Sequence, residues 1–127
     1  MQAPKWLLAL PPLALLLAGC ASTITNLTPS ILPREQSGLY PFEAEWTSTQ
    51  RSRSLREDSI RGYVVVNGDF HPMERVPGMK SRWEALVPLQ PTNQPVLYHF
   101  KWDYSTAGFG ADAPNSVRSR QYRLEIR

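Results

Sequence analysis

The chain has 127 residues, 42% of them hydrophobic, with a formal net charge of +3 and a single cysteine. That length is one domain. So small a basic excess excludes the dense basic stripe of a nucleic-acid-binding face, and one cysteine excludes an internal disulfide, so a core alone must hold the fold.

The first segment is not part of that core. MQAPKW carries Lys5 as its only charge, and LLALPPLALLLAG is apolar as far as Cys20. A basic start followed by about a dozen apolar residues is a secretory signal, too short to span a bilayer as a helix. Pro11 and Pro12 further oppose a long membrane helix. Leu17-Ala18-Gly19-Cys20 resembles the lipobox of bacterial lipoproteins; the alternative is an ordinary export signal with a chance cysteine. The resemblance implies that residues 1–19 are removed as a lipoprotein signal peptide and that Cys20 is acylated and begins the mature chain. Several acyl chains on one residue anchor firmly without spanning. Ala21, rather than Asp, follows the cysteine, which in a diderm host implies the outer membrane. The expected location is thus the bacterial cell envelope, with the membrane as a partner through Cys20. Without Lys5 the balance is 13 basic against 11 acidic residues, and an exported chain so nearly neutral has no nucleic acid as its partner.

Residues 20–38 form the lipidated Cys, a tether and a first strand, expected near Thr23 to Thr28, before a connection broken by Pro29 and Pro33. Asn26-Leu27-Thr28 matches the glycosylation triplet, which a bacterial lipoprotein would not normally use. Residues 39–127 form the rest of the domain. In LYPFEAEWTST, Tyr40, Phe42, Ala44 and Trp46 share one parity against Glu43 and Glu45, the alternation of a half-buried strand. STQRSRSLREDS, residues 48–59, has five charges and little apolar content and reads as an exposed loop. Tyr63 to Val66 is a continuous apolar β-rich run ending at the hairpin signal Asn67-Gly68. Phe70 to Val76 returns, closed by Pro77-Gly78. SRWEALVPL places Trp83, Ala85, Val87 and Leu89 on one side. YHFKWDY, in the longest predicted strand, alternates Tyr98, Phe100, Trp102 and Tyr104 with His99, Lys101 and Asp103. STAGFGADAPNS is a glycine-rich loop, and Tyr122, Leu124 and Ile126 share a face in the last strand. Arg118 and Arg120 precede that strand and mark a bulge or an edge, where arginine discourages aggregation.

About seven short strands without a helical period make an all-β, antiparallel β-sandwich. In such a fold the aromatic row of YHFKWDY points inward, with the hydroxyls of Tyr98 and Tyr104 reaching water near the strand ends. YVVVNGDFHPMERVPGMKSRWEALVPL resembles the early-set Ig-like domains that include glycogen- and starch-binding modules. The matching residues are Val65, Val66, Gly68, Asp69, Phe70, Met73, Arg75, Trp83, Glu84, Val87, Pro88 and Leu89, and the similarity spans roughly residues 60 to 106. It implies an Ig-like (early-set) β-sandwich. It also makes a glycan a possible partner, but the sugar-binding members continue Gly-Asp-Phe with Asn and an exposed stacking Trp, whereas His71-Pro72-Met73 follows here.

The chain carries no nucleophile motif, phosphate loop or metal-ligand spacing. His71 and His99 read as surface residues, Glu57-Asp58 as a solvated pair, and Glu43 and Glu45 as partners for a neighbouring cation such as Lys101. The expectation is a non-catalytic domain without cofactor or metal, serving as a structural or protein-interaction module. Contact falls to the loops, where Arg51, Arg53, Arg56 and Phe109 are the candidates for meeting an envelope protein. For Phe109 two placements stand side by side, an exposed anchor or a cap folded over the end of the core.

Overall fold

The structure, a computed structural model, describes residues 22–48 and 54–127. The described residues form strands and no helix: β1 (Ser22–Asn26), β2 (Ile31–Leu32), β3 (Leu39–Ser48), β4 (Leu55–Val66), β5 (Asp69–Arg75), β6 (Arg82–Pro88), β7 (Val96–Thr106), β8 (Ala113–Arg118) and β9 (Tyr122–Ile126). They make one curled sheet in the order β1-β3-β6-β5-β4-β7-β9-β2. β8 shares an edge of β7 with β9, the former beside Lys101 to Thr106 and the latter beside Val96 to Tyr98.

The described residues are all-β, as the alternation predicts, but the strand count and the pairing differ from expectation. Among them nine strands are present where about seven were expected, and β2 runs parallel to β9, pairing Ile31 with Glu125 and Leu32 with Ile126. The two additional strands are β2, only two residues long, and β8, whose sequence APNSVR is exposed at nearly every position. β2 is too short to alternate, and β8 packs only Val117 against the core, so the period-2 signal is silent there.

The charged stretch before Ile60 is a second correction. β4 begins at Leu55, which makes it 12 residues long against 11 for β7. Arg56 pairs with Ser105 but Arg61 with Asp103, so β4 carries extra residues in a bulge. A bulge breaks alternation, and it lets both Leu55 and Ile60 face the core although an odd interval separates them. The glycine-rich loop is likewise shorter than expected, since β7 runs through Thr106 and β8 starts at Ala113.

The curl brings β3 and β6 face to face with β7. Tyr40, Phe42, Ala44 and Trp46 line one side, Trp83 and Val87 extend it, and Tyr98, Phe100 and Trp102 line the other, all buried. The row in YHFKWDY is therefore an inner face. Trp46 stacks on Trp102 with centroids 5.7 Å apart, Trp83 meets Trp102 edge-on at 6.4 Å, and Phe42 meets Tyr98 edge-on at 4.8 Å. Such offset and T-shaped pairs add about 0.5–1.5 kcal/mol each beyond burial. The indole N–H groups of Trp46, Trp83 and Trp102 have no acceptor among the described residues. Buried polar atoms left so carry a cost, which the rings' apolar contact must offset.

Tyr98 departs from expectation. It is 1% exposed, and its hydroxyl accepts a hydrogen bond from Asn26 Nδ2 at 2.8 Å instead of reaching water. Burial, the leading cause, raises its pKa above the ordinary phenol value. Asn26 also accepts from the Thr28 amide at 3.0 Å, and Thr28 Oγ1 accepts from the Glu43 amide at 3.0 Å while donating to the Glu43 carbonyl at 3.1 Å. These bonds fix the corner at which the chain leaves β1, beside β3, and crosses to β2, beside β9. The Asn26-Leu27-Thr28 triplet thus fastens the two ends of the curled sheet.

Candidate functional site

The strand registers gather several loops at one end of the sheet. Ser22 of β1 pairs with Ser48 of β3, and Thr106 of β7 pairs with both Leu55 and Ala113. The Ala107 amide donates to the Ser54 carbonyl at 2.6 Å, and the Trp46 amide to the Ser81 carbonyl at 2.9 Å. The start of the described chain, the end of β3, the start of β4, the β5–β6 turn and the β7–β8 loop are therefore neighbours. Trp46, Ser48, Leu55, Lys80 and Ser81 line one shallow hollow there.

Of the four contact candidates, the structure brings two together. Arg56 pairs with Asp112 at 3.3 Å, tying the base of β4 to the β7–β8 loop. Phe109, in that same loop, is fully exposed and does not cap the core. A Cβ on the preceding Gly108 would stand 2.7 Å from the Ala111 carbonyl oxygen, and Gly110 has φ +83°, so both glycines are needed for the tight turn that projects the ring. Arg51 and Arg53 lie outside the described residues, as does Cys20 with the segment before it.

A second surface was not anticipated. On the outer face of β3, β6 and β5, a groove of about 660 Å³ runs past Leu27, Pro29, Pro41, Pro72 and Leu86. Leu86 is 65% exposed, the most open of the large aliphatic side chains described. Its signal was present in SRWEALVPL, where a leucine occupies the outward parity between Glu84 and Pro88. Three carboxylates stand beside it: Glu43 lies opposite Glu84, and Glu84 opposite Glu74. Like charges directly opposite destabilise a sheet. Of these three, only Glu43 is paired with a cation among the described residues, which is Arg82 on the neighbouring strand β6 and not Lys101. Lys101 lies on β7, away from β3, and pairs with Asp103 instead. This row depends on which strands are neighbours, so no local pattern announces it.

A third, smaller cluster occupies the outer face of β4, β5 and β7. Phe70 meets Tyr63 edge-on at 5.6 Å, and Lys101 Nζ stands 5.3 Å from its ring centre. Val65, outside the main core, is buried between Phe70 and His99 on either flank. Burial lowers the His99 pKa below the usual imidazole value, and the charges of Arg118 and Lys101 lower it further. His71 has the parity of buried Met73 and so faces away from His99. Among the described residues, no group of three or more His, Cys, Asp or Glu is placed to hold a metal, and no helix is long and apolar enough to cross a membrane. No protein-family model matches the chain, and no curated protein matches it in sequence.

Proposed function

We propose that this protein is a non-catalytic lipoprotein of the bacterial envelope, anchored through acylated Cys20, whose Ig-like domain holds a partner protein. The lipobox supports the anchor. The strand order supports the fold assignment: β1-β3-β6-β5 on one half and β4-β7-β9 on the other follow the A-B-E-D and C-F-G arrangement of Ig-like sandwiches.

The observation that carries the interaction role is the groove around Leu86. An exposed apolar strip marks a contact surface, and the row Glu43-Glu84-Glu74 beside it has, among the described residues, one cation for three carboxylates. The complementary partner is an apolar segment carrying lysine or arginine. A photo-crosslinking residue at position 86 of the full-length protein in its native membrane tests this. A discrete protein adduct, mapped to a segment with a basic residue and lost in Glu74→Lys/Glu84→Lys, is the expected result. No adduct, or one indifferent to those charges, would remove the reading.

A glycan-binding role is the second reading, favoured by the half-exposed Phe70 and its edge contact with Tyr63. Against it, Lys101 already lies over the Phe70 ring. Calorimetry with glucans at millimolar concentration decides, with heat lost in Phe70→Ala as the positive outcome.

A further inference from the structure

We infer that the end of the domain bearing Phe109 rests on the lipid surface, with the Phe109 ring in the interfacial region of the bilayer. The inference rests on the reading of Cys20 as the acylated anchor and goes on to say which surface the anchor brings to the membrane.

The first described residue, Ser22, is already hydrogen-bonded into the sheet opposite Ser48. Only two residue steps separate it from Cys20, a span of at most about 7 Å. A tether so short cannot carry the domain away from the acyl chains or let it turn end over end. The end holding Ser22 and Ser48 must therefore face the lipid. That same end carries the β7–β8 loop and the β5–β6 turn, because Thr106 pairs with Leu55 and Ala113, and Ser81 with Trp46.

What this end presents suits an interface. Ala107-Gly108-Phe109-Gly110-Ala111 has no charged residue, and the ring at its apex is fully exposed. Met79, in the β5–β6 turn, is a second exposed apolar side chain, and Lys80 beside it has no carboxylate partner among the described residues. The acid nearest the apex, Asp112, is neutralised by Arg56, and Glu57 by Arg75. An aromatic tip above two paired carboxylates, with the cation Lys80 in the adjoining turn, is a composition that settles at a lipid boundary.

The test uses the full-length acylated protein in vesicles of phosphatidylethanolamine and phosphatidylglycerol containing nitroxide-labelled lipid. A fluorophore is attached at Ala111→Cys, which leaves Phe109 in place, or at Asn93→Cys, an exposed site in the connection between β6 and β7. The expected result is quenching at position 111 several-fold above that at 93, reduced by Phe109→Ser. Equal or negligible quenching at both sites, on vesicles that retain the protein, overturns the inference and leaves the anchor standing. Two labels per chain would show a free Cys20 thiol; the anchor reading then fails and takes the inference with it. A position-111 label unquenched by lipid but crosslinked to a protein in native membranes also overturns it, assigning this end to a protein instead.

Discussion

Gly62 and Trp102 lie directly opposite each other across the β4–β7 pair, and a Cβ on Gly62 would stand 2.6 Å from the Trp102 indole nitrogen. The indole cannot retreat, because Trp102 is fully buried and stacked on Trp46. Gly62→Ala should therefore act as overpacking and cost about 1–3 kcal/mol. Urea unfolding checks it: a lower midpoint at unchanged slope is expected. An unshifted midpoint would mean that the Trp102 ring moves freely and that the core is looser than its contacts indicate.

Thr28 allows a cleaner substitution. Its hydroxyl both accepts from and donates to the Glu43 backbone, and the side chain is buried. Thr28→Val keeps the shape and strands the Glu43 amide, which should cost about 1–3 kcal/mol. Because the bond holds the corner between β1 and β2, exchange of the Glu125 and Arg127 amides, which donate to the Ser30 and Leu32 carbonyls, should quicken more than in β7. Uniform acceleration would instead show that the corner opens only with the whole domain.

The ring positions predict opposite outcomes for two phenylalanines. Phe100 is fully buried in β7, and Phe100→Ala should cost about 3–5 kcal/mol. Phe109 is fully exposed, so Phe109→Ser should change stability by less than about 0.5 kcal/mol. Thermal or urea unfolding of both variants measures the contrast, and a large loss from Phe109→Ser would place that ring against the core.

His99 supplies a pH dependence whose sign is set by burial. Its pKa is lowered in the folded chain, chiefly by desolvation and then by Arg118 and Lys101. The unfolded chain, with a pKa near 6.5, binds the proton more readily. The stability from keeping His99 neutral is thus fully present above about pH 6.5 and is lost as pH falls through the folded value. Between pH 7.5 and pH 5, the wild-type urea midpoint should drop more than that of His99→Gln. Equal drops would assign the acid sensitivity to the carboxylates.

How much of this was legible follows from what each residue's environment depends on. The aromatic row of β7 could be read because its pattern is local: each inward ring is flanked by polar residues, and one face must be dry. The bulged start of β4 could not, because Leu55 and Ile60 fall at an odd interval that only the broken register with Ser105 and Asp103 reconciles. Of the contact residues, Arg56 and Phe109 were visible as loop candidates, yet nothing in either segment indicated that Asp112 would join them. Leu86 was visible as an apolar residue of the wrong parity; its significance required the neighbouring strands.

The sequence by itself determined the β-rich character and the inward rows, since strand periodicity depends only on neighbours along the chain. Tertiary structure alone decided which strands lie side by side, and hence the three facing glutamates, the groove at Leu86 and the gathering of Phe109 with Ser22 at one end. Those features arise between residues dozens of positions apart, and they exist only once the sheet has curled around its rings.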